Sequence, residues 1–323
     1  MKNNVNLATT TSVTTTYSGQ FAGEYVAAAL LSATSLEAGG LTIKPNVKYK
    51  TTLKKLATSG LLKDATCDFD ATGAITLTEK VCEPKRIHMN LQVCKDDYRN
   101  DWEAESMGFS AHDNLPKNFS DYLLGHVMAS VASQVEQNIW TGDSSNDGEI
   151  NGIETEIALD ANLPAAQEVS GAAVSASTII VELRKITAAI PDRVYGQDGL
   201  KIYCSKAIIK AYIGALGGHV AAGVGGSGTL DQGTQWYTDG SLTFDGIPLF
   251  MASGMTSTVA IATTQDNLVF ACGLMNDQQE VKVLDMADID LSDNVRIAMK
   301  FTGVATYIHP EDMVTYGITN GAN

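Results

Sequence analysis

Between residues 118 and 154 the chain reads NFSDYLLGHVMASVASQVEQNIWTGDSSNDGEINGIE, an amphipathic run that empties directly into a turn of glycine and aspartate. Phe119, Leu123, Val127, Val131, Val135 and Ile139 fall at i+4 steps with Leu124, Met128 and Ala132 beside them, a wide apolar stripe at helical period. Asn118 or Ser120 is placed to cap the start, Asp121 lies near the positive end of the helix dipole, and Gly142 marks the stop. A helix over 119–140 spans roughly 33 Å at the usual rise, about the width of a small domain. The rest of the fold must be built along it.

The turn after the helix carries its own chemistry. Asp143, Ser145, Asp147, Gly148, Asn151 and Glu154 occupy positions 1, 3, 5, 6, 9 and 12 of a calcium loop, with Ile150 at the apolar position 8. Hard oxygen ligands at alternate positions, a glycine for the sharp turn and a closing glutamate are what that ion needs. Against this, Gly152 sits where the second helix of such a hand should begin, residues 158–164 read as loop, and the motif stands alone. A solvated acidic turn is the competing reading. No metal ligand is assigned.

Other chemical signals are weaker. Gly223, Gly225 and Gly228 have the spacing of a dinucleotide loop, but they follow no strand and open no helix. The five histidines (His88, His112, His126, His219, His309) lie far apart, and Asp96, Asp97, Asp101, Glu103 and Glu105 read as a solvated acidic run. No nucleophile, base and orienting acid come together, so no catalytic or cofactor-binding residue is assigned and no enzyme is expected. Cys67, Cys82, Cys94, Cys204 and Cys272 are odd in number and widely spaced, which suits reduced structural thiols. The net charge of −15, with no basic run, disfavours tight binding to a nucleic-acid backbone. An acidic wall that merely encloses nucleic acid meets no such objection. No window approaches the eighteen or so continuous apolar residues of a membrane helix, and the first residues lack the apolar core of a secretory signal, so a cytoplasmic origin is expected.

Along the chain, six threonines between residues 9 and 16 mark an extended arm. Residues 21–35 suggest a short alanine-rich helix ended by Gly39 and Gly40, and Leu41, Ile43, Val47 and Tyr49 a strand interrupted at Pro45. Residues 56–80 are too polar to form a core and read as a long projecting hairpin. Ile87, Met89, Leu91 and Val93 alternate with polar residues, a half-buried strand. Ser177 is placed to cap a second helix with Ile179, Leu183, Ile186 and Ile190 on one face and Pro191 at its end. A strand over 200–204 leads into a third helix with Ile208, Ile209, Tyr212, Ile213 and Leu216. Residues 217–240 hold eight glycines and read as a long loop. Beyond it, strands are punctuated at Asp245-Gly246, Asn267 and Asn276-Asp277. The class is α+β.

The passages AITLTEKVCEPKRIHMNLQVCKDDYRND, NIWTGDSSNDGEINGI, LKIYCSKAIIKAYIGAL, FDGIPLFMAS and VRIAMKFTGVATYIHPEDMVTYGI, in this order, resemble a tailed-phage major capsid protein. The resemblance covers nearly the whole chain after about residue 20 and implies the Hong Kong ninety-seven-type fold, which encapsulin shells share. It implies an N-terminal arm in residues 1–40, an extended loop region in 41–82, a peripheral domain from 83–150 and 278–306 with the spine helix, and an axial domain from 151–277 and 307–323. The function implied is self-assembly into hexamers and pentamers of an icosahedral shell enclosing double-stranded DNA. Implied partners are other copies of the chain and separate scaffold, portal and decoration proteins, with assembly in the host cytoplasm and no membrane. Lys54, Lys55, Lys63 and Lys80 are candidates for a covalent cross-link on the extended loop, and nothing selects one. The rival functions are a cargo-enclosing encapsulin and a calcium-dependent binding module built on the Asp143 loop.

Overall fold

The computed structural model describes residues 34–60 except 38 and 48, residues 62, 64, 73–94, 117–216, 242–273, 281–286, 289, 292 and 294–321. The threonine-rich arm, most of the helix read over 21–35, the acidic run before the long helix, the glycine-rich loop and the turn at Asn276-Asp277 lie outside the described residues.

The first elements are a single helical turn α1 (Thr34–Glu37) and β1 (Thr42–Lys44), which stops at Pro45 as the sequence suggests. Strands β2 (Thr51–Ser59) and β3 (Ala74–Cys82) pair antiparallel from Thr51↔Cys82 to Ser59↔Ala74, so the expected long hairpin is present. In β4 (Lys85–Cys94) the alternation buries Ile87 and Val93, half-buries Met89 and leaves His88 and Asn90 exposed. The long helix α2 (Lys117–Thr141) ends one residue before Gly142. It starts at Lys117, so Asn118 lies inside the first turn instead of capping it.

The sequence reading is corrected directly after the turn. Residues Ile153–Ala158 form a helix, α3, where no second helix was expected. Six residues are too few to show a period, yet Ile153 and Ile157 are both buried at i+4 and Glu154 and Glu156 stand in the first turn, where the helix dipole favours them. Gly152 is the N-cap, with φ −80° and ψ 165°, and does not act as a breaker.

A 3₁₀ turn at Ala165–Gln167 leads into β5 (Glu168–Val169), α4 (Ile179–Ala189), β6 (Leu200–Cys204) and α5 (Lys206–Leu216). On α4 the face of Ile179, Leu183, Ile186 and Ile190 is buried as expected. Its N-cap is Thr178, not Ser177. On α5, Ile208, Ile209 and Tyr212 are buried and Leu216 faces out. The chain then makes β7 (Thr243–Phe244), β8 (Ile247–Met251), β9 (Ala260–Thr264), β10 (Leu268–Cys272), β11 (Val281–Asp285), β12 (Asn294–Tyr307) and β13 (Val314–Tyr316). Asp245 and Gly246 turn β7 into β8 with φ of 48° and 80°, the two positive values a tight primed turn requires.

These strands form two sheets besides the hairpin. The first has the order β1-β10-β12-β11, with β4 also paired to β12, from Asn294↔Cys94 to Gly303↔Lys85. The second has the order β5-β13-β9-β6-β8-β7. Because β1 and β10 join the first sheet, residue ranges 41–82 and 151–277 each contribute to it. One core packs the end of α2 and Ile153 and Ile157 of α3 against the first sheet and Tyr203 and Ile261 of the second. Another fills the space between the second sheet and helices α4 and α5. A third, small cluster of Val47, Leu53, Cys82 and Ala271 lies at the root of the hairpin.

Backbones meet at van der Waals distance where α2 enters the turn. A Cβ on Gly152 would lie 2.5 Å from the Trp140 carbonyl oxygen, and one on Gly254 would lie 2.2 Å from that of Glu136. The φ of Gly152 is open to any residue, so the demand there is for space alone. Gly152→Ala is expected to lower the unfolding free energy by about 1–3 kcal/mol, the usual cost of forcing extra volume into a packed site, as read from the urea midpoint.

Candidate functional site

The end of α2 is held by a carboxylate with no exposed surface. Glu136 accepts hydrogen bonds from the backbone N–H of Ser35 (3.1 Å), the Ser35 hydroxyl (2.6 Å) and Trp140 Nε1 (3.2 Å). Trp140 lies one turn on in the same helix and also donates to Ser35 Oγ at 2.9 Å. Its ring packs against Tyr203 of β6, tilted by 42° with centroids 5.6 Å apart, and Tyr203 in turn meets Phe250 of β8 at 5.3 Å. The Tyr203 hydroxyl donates to the Gly40 carbonyl at 2.6 Å. One helical turn therefore fixes the entry of the chain, α2 and the second sheet together.

The six residues of the sequence-predicted calcium loop are used differently from one another. Asp143 Oδ1 accepts from the Ser145 N–H at 2.9 Å and Asn151 Oδ1 from the Ser144 N–H at 2.9 Å. Gly148 has φ +81°, so the glycine serves the backbone of the turn. Glu149, which the sequence reading passed over, accepts from Asp143 N–H and Asn146 Nδ2. The Lys85 ammonium donates to the carbonyls of Ser144 (3.0 Å) and Asn146 (3.3 Å), placing a cation of the chain itself on the turn. Hydrogen bonds, from the Ser145 N–H to Asp143 and from the Asp143 N–H to Glu149, hold both exposed carboxyls below their ordinary range. Glu154, the expected closing ligand, points elsewhere. It accepts from the Thr256 N–H (2.9 Å) and hydroxyl (2.7 Å), tying α3 to the loop between β8 and β9. Among the described residues no group of three or more His, Cys, Asp or Glu is arranged to hold a metal ion.

Of the other sequence candidates, His88 is exposed on β4 and His309 is partly buried after β12. His112 and His219, the acidic residues 96–105, Gly223, Gly225, Gly228 and Lys63 lie outside the described residues, as do the side chains of His126 and Lys55. Cys82, Cys204 and Cys272 are buried. Burial pushes the Cys82 thiol up and the Cys204 thiol well up, which suits core residues over nucleophiles.

The hairpin has two unlike faces. Leu53, Lys80 and Cys82 turn toward the body, and Leu53 and Cys82 are buried. The other face carries Ile75, Leu77 and Val81, which are 67%, 54% and 47% exposed. At the root, Lys80 Nζ lies 3.5 Å from Asp160 Oδ2 and 3.3 Å from the centre of the Tyr307 ring, and the Tyr307 hydroxyl donates to the same Asp160 oxygen at 2.5 Å. Sequence reasoning set Lys80 among four equivalent lysines. Only folding brings it to Asp160 and Tyr307.

No family model and no curated protein matches the chain, so relatedness is visible at the level of fold. The chain is similar to a subunit in the capsid of a native GTA particle, at 13% identity and a TM-score of 0.58, over 89% of this chain and 90% of that one. It is also similar to a structure from Mycobacterium phage Cain, at 13% identity and 0.57, over 94% and 95%. A third is the cyanophage A-1(L) capsid asymmetric unit, at 13% identity and 0.55, over 94% and 97%. The chain has the capsid fold of these particles, the Hong Kong ninety-seven type expected from its sequence.

Two outcomes follow for this region. Glu136→Ala removes the acceptor of the Ser35 N–H and hydroxyl, Trp140 Nε1 keeping Ser35 Oγ, and chemical denaturation is expected to show a loss on the order of 1–3 kcal/mol for each donor left unpaired. For Glu154, burial raises the carboxyl above its ordinary range and the Thr256 bonds only partly oppose this. Its contribution to stability is thus full below about pH 4, near the usual glutamate value, and is lost as pH rises through the raised value. Glu154→Gln keeps one acceptor and one donor for Thr256 and is expected to melt above the native chain at pH 7, the gap closing toward pH 4.

Proposed function

We infer that this chain is the major shell subunit of a tailed, double-stranded DNA bacteriophage, forming hexamers and pentamers that close into an icosahedral capsid. The observation that carries this reading is the capsid fold over about nine-tenths of the chain, joined to a hairpin whose outer face leaves Ile75, Leu77 and Val81 about half or more exposed. Ile75, Leu77 and Val81 share one face of a two-stranded ribbon with the exposed Lys54–Glu79 ion pair, and such a ribbon is marginal in water unless another surface covers it. A second copy supplies that surface by symmetry, at every interface at once.

In this reading the first sheet with α2 forms the peripheral domain and the second sheet with α4 and α5 the axial domain, with the arm and hairpin reaching neighbours. The work is geometric and no chemistry is assigned to it. The negative charge of the chain suits a wall that contains DNA without gripping it. Scaffold, portal and decoration proteins are the further partners proposed, and the assembled virion is the proposed location.

Replacing Leu77 and Ile75 by Asp tests the role of the hairpin face. Both side chains are exposed in the single chain, so the melting temperature is expected to stay within a few degrees of native, surface changes being worth about 0.5 kcal/mol. Sedimentation velocity is expected to show rings or shells for the native chain and monomers for the variant. Unimpaired assembly of the variant would remove the hairpin face from the reading.

A further inference from the structure

The hairpin touches the body through two kinds of contact, and they differ in what they permit. One is the apolar cluster of Val47, Leu53, Cys82 and Ala271, backed by Val304 and Ile308. Contacts of this kind carry little directional preference, so a ribbon can pivot on them. The other is directional. Lys80, on β3, reaches across an open cleft of ≈ 500 Å³ that separates the root from the body and is lined by Leu53, Glu156, Leu159 and Pro310 among others. It ends on Asp160 and over the Tyr307 ring.

The receiving side of this contact is rigid. Asp160 Oδ1 accepts from the Asn162 N–H (2.9 Å) and Nδ2 (2.8 Å), its other carboxylate oxygen takes the Tyr307 hydroxyl, and its carbonyl accepts from Asn320 Nδ2 (2.8 Å). Asp160 thus stays in place whether or not Lys80 is there. The ammonium, by contrast, is held by a 3.5 Å ion pair and a ring face, on a flexible four-carbon stem.

We propose that Lys80, closing on Asp160 and Tyr307, is a releasable catch that fixes the angle of the hairpin in the unassembled chain, with the Leu53–Cys82 cluster as its pivot. The ion pair of Lys54 with Glu79 joins the two hairpin strands to each other and travels with them. Glu156 adds attraction for Lys80, and Glu79 and Glu311 line the same cleft. Burial costs the Lys80 ammonium more than Asp160 and Glu156 return, so its affinity for the proton falls. The catch is a property of the single chain, and its failure would leave the proposed shell function standing.

The test uses single-molecule energy transfer at concentrations too low for assembly, between dyes on unnatural amino acids at Leu62 and Gln137, both exposed, so that native cysteines are untouched. The native chain is expected to give one narrow distance population. Lys80→Met, which keeps the stem and removes the charge, and Asp160→Asn, which keeps an acceptor for Tyr307, are expected to shift molecules into a second, broader population. Lys80→Arg is expected to restore the narrow one. Either Lys80→Met or Asp160→Asn melting cooperatively with the native distance and width would overturn the proposal, and if one fails to fold, the other decides.

Discussion

The buried carboxylate of Glu136 is the interaction on which the rest of the architecture depends. A carboxylate with no exposed surface is costly unless its oxygens are occupied, and here they are occupied by donors from two distant parts of the chain, Ser35 and Trp140. That satisfaction fixes where α1 meets the last turns of α2. Trp140 then packs against Tyr203, Tyr203 against Phe250, and Phe250 closes over Gly40, where a Cβ would lie 2.5 Å from the ring. Gly254 packs directly on the Glu136 carbonyl. A short stretch of helix thereby sets the position of both sheets relative to the spine.

The hairpin obeys the opposite physics. Its body face is buried at Leu53 and Cys82, while Ile75, Leu77 and Val81 remain in water on the other face. The proposed repetition of the chain accounts for both, a part that is fully buried and a ribbon that is left incomplete. The same reasoning connects local structure to the proposed work of the chain: a rigid hub to carry position and an uncovered ribbon to transmit it to the next copy.

Much of this was legible in the sequence because it rests on local period and turn chemistry. The stop at Gly142, the buried face of Ile179, Leu183, Ile186 and Ile190, the Asp245-Gly246 turn and the two-residue alternation of β4 are all of that kind. The missed features depend on distance along the chain. Glu136 looks solvated in a sequence, since its partner Ser35 is 101 residues away. Lys80 meets Asp160 and Tyr307 across separations of 80 and more residues. Glu154 was read with its neighbours in the turn, but folding gives it to Thr256, and α3 was too short to reveal a period. The Trp140 four residues after Glu136 was the one local sign that a carboxylate there had an indole to hold.

The central claim, that the chain is a subunit made to repeat, is tested most directly by negative-stain electron microscopy of the purified protein across salt and concentration. Rings of five and six, or closed shells, are the predicted result. A chain that stays monomeric under every condition would contradict it.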